Sequence, residues 1–163
     1  MIEILPSLLS PLISILAAFI ILKLQRWYEK KKYFNTLYSE AESNLLIAEN
    51  LLPLAEAISG KKKESLGTVF DLQRLYTYCY EDFKRSGYFI LLDEKTRNLL
   101  EEVYEIISSH NSQTNVMIME QMNIPEYIKL GIPPPQRTGG YTERLTSLIP
   151  KLKDLRDYLR AYL

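Results

Sequence analysis

Between Ile4 and Leu22 the chain carries no charged residue, and a dense basic run begins at Lys23. The stretch reads ILPSLLSPLISILAAFIIL and continues as KLQRWYEKKK. An apolar segment of this length is either a helix buried on every side or a helix that crosses a bilayer. At about 1.5 Å per helical residue it comes close to the ~30 Å hydrocarbon core. Lys23, Arg26, Lys30, Lys31 and Lys32 lie directly after it, whereas Glu3 and the amino terminus lie before it. That asymmetry predicts a single membrane span in the cell membrane, with Met1 outside and everything after Lys23 in the cytoplasm. Trp27 and Tyr28 fall where an interfacial aromatic belt belongs. A cleaved secretory signal carries its positive charge before the apolar core and a small-x-small site after it; Leu22-Lys23-Leu24 has neither.

Two local features qualify the anchor. Pro6 suits a first helical turn, while Pro11 removes one backbone hydrogen bond and predicts a mild kink or a late helix start. Ser7, Ser10 and Ser14 share one face with Pro11 and form a small, slightly polar stripe of the kind through which transmembrane helices associate. The same hydroxyls can also bond their own backbone. The five cations of the collar exceed what orientation alone requires. They fit binding of anionic lipid headgroups, at about 1 kcal/mol per cation near a charged leaflet, as well as they fit the orienting role such charges have in almost any single-pass protein.

Lys plus Arg and Asp plus Glu number twenty each, so no net charge draws the chain to nucleic acid. The distribution is nevertheless polarised, basic over residues 23–32 and acidic over 93–126, with Glu101, Glu102, Glu105 and Glu120 among the acids. The single cysteine, Cys79, excludes an internal disulfide and fits a reducing compartment. Abundant Ile, Leu, Tyr, Lys and Glu with little Gly resembles the composition of thermophilic archaeal proteins.

Beyond the anchor the apolar residues recur at helical spacing. Phe34, Leu37, Tyr38, Ala41, Leu45, Ala48, Leu52 and Ala55 form a stripe continuous with the anchor helix, with Glu40, Glu42, Glu49 and Glu56 falling largely off it. Pro53 is expected to bend the last turns, and Ser59-Gly60 followed by three lysines to end them. A second helix is predicted over about residues 68–85, turning Phe70, Leu72, Leu75, Tyr76, Cys79, Tyr80 and Phe83 inward and stopping at Ser86-Gly87. Residues 88–92 read as a short apolar connector. Asp93 caps a third helix that buries Leu99, Leu100, Val103, Tyr104, Ile106 and Ile107 and extends to Met122. Residues 124–141, with Pro133-Pro134-Pro135 and Gly139-Gly140, are the longest irregular stretch. A last helix over 142–162 presents Leu145, Leu148, Ile149, Leu152, Leu155 and Leu159. The expectation is an all-α protein: an N-terminal transmembrane anchor, residues 1–24, continuing into a cytoplasmic bundle of about four helices, residues 25–163.

Catalytic chemistry finds little footing. The chain has one histidine and one cysteine, and lacks a Gly-rich phosphate loop, an HExxH motif and a nucleophile elbow. His110, in SSHNS, has no Cys or His neighbours with which to hold a metal and reads as a partly exposed polar residue. Cys79 reads as a small core residue, and Glu101, Glu102 and Glu105 as a solvated helix face. Arg137-Thr138-Gly139-Gly140 has the makings of a small anion nest but is read as a loop. No catalytic residue, metal or cofactor is expected.

The runs YFNTLYSEAESNLL and FKRSGYFILLDEKTRNLLEEVYEIISSHN resemble a loose family of small prokaryotic proteins with one N-terminal transmembrane helix and a short cytoplasmic helical bundle. Glu40, Asn44, Ser86, Gly87, Leu92, Asp93 and Tyr104 occupy the places of its pattern. Members of this family look like components of antiviral systems, and with its archaeal flavour this chain looks like the membrane effector paired with a short archaeal Argonaute. The resemblance implies a non-enzymatic role in abortive infection. A nucleic-acid-guided, Argonaute-containing partner complex would sense the invader and cluster this protein into a homo-oligomer. The clustered anchors would then depolarise the membrane, without direct contact of this chain with nucleic acid. A passive adaptor, docking a soluble complex at the membrane, is the alternative.

Overall fold

Phe34, Leu37, Ala41, Asn44, Ala48, Leu51 and Ala55 succeed one another at alternating three- and four-residue steps, and all are buried. That spacing keeps one seam of a helix facing its neighbours over several turns. It belongs to α1 (Ile4–Ser59), which at about 1.5 Å per residue is some 84 Å long. The computed structural model describes residues 4–59, 73–123, 126, 129, 130 and 140–163, and the side chains of 4–10, 57–59 and 121 lie outside that description. Among the described residues three further helices follow: α2 (Tyr78–Arg85), α3 (Glu94–Met122) and α4 (Tyr141–Arg160), with a 3-10 turn at Tyr88–Leu91 between α2 and α3. Among the described residues there is no strand. The all-α architecture, a long apolar N-terminal helix followed by a helical bundle, is as expected.

Neither proline interrupts α1. Pro11 and Pro53 both stand on its exposed surface, and the helix begins before Pro11 and continues past Pro53. It also runs without a break through residue 24, the expected limit of the anchor. Packing starts where Lys30 and Tyr33 become partly buried and Phe34 fully so.

From Phe34 onward, α1 is laid against a bundle whose helices alternate in direction. Contacts fix this order. Phe34 meets Phe83 edge-on near the end of α2, with ring centroids 5.0 Å apart, and stacks on Tyr162 just after α4, also at 5.0 Å. Tyr104, midway along α3, reaches Glu40 at 2.6 Å, and Lys153 of α4 pairs with Glu49 at 2.8 Å. Thus α2 and α4 run back toward the start of the bundle and α3 runs away from it. Leu100, Val103 and Ile107 of α3 and Leu145, Leu148, Leu152, Leu155 and Leu159 of α4 close the core. Each such fully buried leucine contributes about 1.5–3 kcal/mol of hydrophobic stabilisation. Leu99, Ile106 and Ile149 pack only partly buried at its edge.

The second helix is shorter than its apolar periodicity predicts. It starts at Tyr78; residues 73–77 are not helical, and 68–72 lie outside the described residues. Side chains from two other helices hold this segment out of the helix. The Asn44 amide accepts the Tyr76 N–H at 2.6 Å and donates to the Tyr76 carbonyl at 2.8 Å. Asn111 does the same for Leu75, accepting its N–H at 2.9 Å and donating to its carbonyl at 2.8 Å. With both backbone groups of each residue satisfied from outside, nothing is gained by helix formation here. In consequence Tyr76, expected inward, is exposed.

Candidate membrane-interface site

The collar is built by α1 alone. With 3.6 residues per turn, Lys23, Arg26 and Lys30 share one face, Lys31 lies beside it, and Lys32 is on the opposite side. Lys23, Arg26, Lys31 and Lys32 are exposed and Lys30 is partly buried, at the point where the bundle begins. Aromatic rings set the reach of three of the ammonium groups. Lys23 Nζ stands 5.0 Å from the Phe19 ring, Lys30 Nζ 5.6 Å from Phe34, and Lys31 Nζ 5.6 Å from Trp27. Trp27 and Tyr28 contact each other edge to face, at 5.4 Å, and both are exposed. Together with Lys31, Lys32, Asn35 and Thr36 they line an open depression of about 420 Å³ on the side of α1 away from Lys30. Two cations, two amphipathic rings and an amide make a surface that suits a phosphate headgroup above and acyl carbons below.

Preceding the collar, residues 11–24 are exposed along their whole circumference. The helix is long and apolar enough to cross a membrane, and none of its most apolar window is buried against the rest of the chain. Ser14 sits on this exposed surface; the side chains of Ser7 and Ser10 lie outside the described residues, as does the segment from Arg137 to Gly139.

A second polar centre lies inside the bundle. Glu40, expected off the apolar stripe, is instead only 5% exposed. Its carboxylate accepts the N–H groups of Cys79 at 2.7 Å and Tyr80 at 3.1 Å, and the Tyr104 hydroxyl at 2.6 Å. Those two N–H groups belong to the first turn of α2, so a residue of α1 supplies the negative charge that its N-terminus attracts. Burial, and then the nearby Glu40 carboxylate, push the Tyr104 hydroxyl well above its ordinary range. The same causes, in the same order, raise Cys79 to about 11, which keeps this half-buried sulfur a thiol at neutral pH.

The seven positions that carry the family resemblance thereby acquire mechanical roles. Glu40 and Tyr104 meet, and Asn44 holds Tyr76. Ser86 donates its hydroxyl to the Phe83 carbonyl at 2.6 Å, and Gly87, at φ +79°, takes the left-handed conformation that ends α2. Leu92 is buried. Asp93 accepts the Thr96 N–H at 2.9 Å, the Thr96 hydroxyl at 2.6 Å and the Tyr162 hydroxyl at 2.6 Å. The Thr96 and Tyr162 hydroxyls hold its carboxyl below the usual carboxylate range.

His110 corrects a second expectation: it is fully buried rather than partly exposed. Its ring packs on Tyr141 at 4.6 Å, and desolvation lowers it to about 4, so it is neutral at pH 7. Glu101, Glu102 and Glu105 are exposed as expected, Glu102 pairing with Lys151 at 2.7 Å. Among the described residues no three His, Cys, Asp or Glu side chains group as metal ligands. The polar residues that sequence reasoning missed had one available signal. Asn44 stands at a core step of the α1 seam with Glu40 one turn before it, and a polar residue in such a seam needs a partner.

No family model, curated protein or solved structure matches the chain.

Proposed function

We propose that the chain is a single-pass membrane effector without catalytic activity, its bundle on the cytoplasmic side, that assembles in the membrane and depolarises or permeabilises it. The observation that carries this reading is the continuity of α1. One helix joins an unburied apolar span, a basic and aromatic collar and the seam of the bundle, with no linker between them. Whatever engages the bundle therefore acts on the span. When copies come together, their collars of Lys23, Arg26, Lys30, Lys31 and Lys32 converge, and like charges repel at short range. Anionic lipid drawn between them offsets that repulsion and rearranges the leaflet locally. The orientation follows from the charge asymmetry across the span. The resemblance in sequence supplies the setting: antiviral defence by abortive infection, with a nucleic-acid-sensing, Argonaute-containing complex as the trigger.

The test is membrane potential. In cells that express the protein together with its activating complex, a voltage-sensitive dye should report depolarisation soon after the trigger. Lys30→Gln, Lys31→Gln and Lys32→Gln combined should leave insertion intact and blunt the response, with weaker binding to anionic vesicles at the same time. Full activation without depolarisation by the wild type sinks the effector reading and favours a passive adaptor that docks a soluble complex.

A further inference from the structure

The 3-10 turn at the foot of the bundle holds large apolar side chains in the open. Ile90 is 73% exposed and Leu91 49%. A connection between two helices in water is ordinarily polar, and here Gly87 is followed by Tyr-Phe-Ile-Leu-Leu. The turn is firmly placed. The Tyr88 hydroxyl lies 3.4 Å from both the Arg26 carbonyl and the Glu29 carboxylate, sharing its one proton between them, and its ring packs on Tyr33 at 5.4 Å. Arg97 donates to the carbonyls of Ile90 at 3.5 Å and Leu92 at 3.0 Å, and its guanidinium covers the Phe89 ring at 5.7 Å. A side chain left exposed by a turn so well held is exposed by construction.

Where the turn sits matters more. Arg26 is one helical turn beyond Leu22, about 6 Å along the axis. The headgroup region outside the hydrocarbon core is some 5–8 Å deep on each side. Tyr88 thus ties the turn to the level of the collar, beside the leaflet from which α1 emerges. Exposed cations surround it there: Lys84 and Arg85 in the last turn of α2, Lys95 in the first turn of α3 and Arg160 at the end of α4. Of the acids at this end, Asp93 is engaged by Thr96 and Tyr162, Glu29 stands beside Tyr88 and Asp157 pairs with Arg156 at 2.9 Å, while Asp82, Glu94 and Asp154 are exposed among the cations, Asp154 facing Lys95.

We infer that the turn Tyr88–Leu91 is a second membrane contact, in which Ile90 and Leu91 enter the boundary between headgroups and acyl chains of an anionic leaflet while Lys84, Arg85 and Lys95 meet the phosphates. This rests on the reading of α1 as a membrane anchor. Apolar side chains at a tip ringed by cations are what an interfacial contact requires. With the collar as one point of attachment and the turn as another, the bundle meets the bilayer at two points rather than on a single stalk.

Trp27, the single tryptophan, makes the two readings separable. The full chain is reconstituted in anionic vesicles whose lipids carry bromine on the upper acyl chain, a short-range quencher of indole. Wild-type protein reports the anchor through Trp27. In a Trp27→Phe background, Ile90→Trp reports the turn, Leu91→Trp repeats the measurement at the adjacent position, and Met119→Trp, on the exposed far part of α3, serves as reference. The expected result is blue-shifted emission for Ile90→Trp and Leu91→Trp, with quenching severalfold stronger than for Met119→Trp. Quenching of wild-type Trp27 with neither turn reporter quenched above the reference overturns this inference and leaves the anchor standing. Absence of quenching in wild-type Trp27 overturns the anchor, and the inference with it.

Discussion

Glu40 is a carboxylate removed from water and met by three donors, an arrangement that offsets much of its desolvation. Glu40→Gln removes the charge and one acceptor oxygen, and should cost about 1–3 kcal/mol. Tyr104→Phe should cost about 0.5–1.5 kcal/mol. Because the two groups share a hydrogen bond, the double variant should depart from additivity by at least about 0.5 kcal/mol. Urea unfolding of the full chain in micelles measures this, and strict additivity would show the bond contributes nothing. His110 makes a separate, pH-dependent contribution. Its ordinary value is 6.5 and burial lowers it to about 4, so on acidification the unfolded chain takes up a proton first. Stability should therefore fall as pH drops from 6.5 toward 4, by up to about 3 kcal/mol, and His110→Phe should flatten that window. Neither residue's burial was legible from its own identity. Glu and His are usually at the surface, and only the seam position of neighbouring Asn44 hinted at a polar interior.

At the scale of elements, periodicity was a good guide wherever a helix has one apolar face and one wet face. α3 and α4 follow it almost to the residue, from Glu94 to Met122 and from Tyr141 to Arg160. It misjudged α2 because Leu75 and Tyr76 are governed by Asn111 and Asn44, which lie more than thirty residues away in sequence. A helical pattern records what a segment prefers alone, and tertiary hydrogen bonds to its backbone can override that preference. The start of α3 shows the opposite case, where a local signal sufficed. Asp93 was legible as its cap, though not that Tyr162 also binds the carboxylate. Asp93→Ala should destabilise the fold by about 0.5–2 kcal/mol, and Asp93→Asn, which keeps an acceptor for the Thr96 N–H, by less. Thermal unfolding of the two variants side by side decides it; equal losses would mean that the charge, not the cap, is what counts.

For the whole molecule, the charge asymmetry across the proposed span yields a prediction of orientation. The collar predicts that protease added outside intact cells leaves the bundle whole, and that inverted vesicles expose it to digestion. The reverse pattern would refute the orientation. Where the collar and the apolar span lie was plain from the sequence, since charge and hydropathy need no tertiary context. That α2 and α4 return to the collar was not, because no local pattern encodes the direction of a neighbour. The unbroken course of α1 also makes the molecule a lever. From Lys23 to Ser59 the shaft measures about 54 Å, and a transmembrane helix ordinarily leans by about 20°. A lean of that size, appearing or vanishing at the bilayer, sweeps the far tip sideways by roughly 18 Å. Conversely, in the membrane anchor we propose, a grip on the tip applies torque to the apolar end with the mechanical advantage of a long handle.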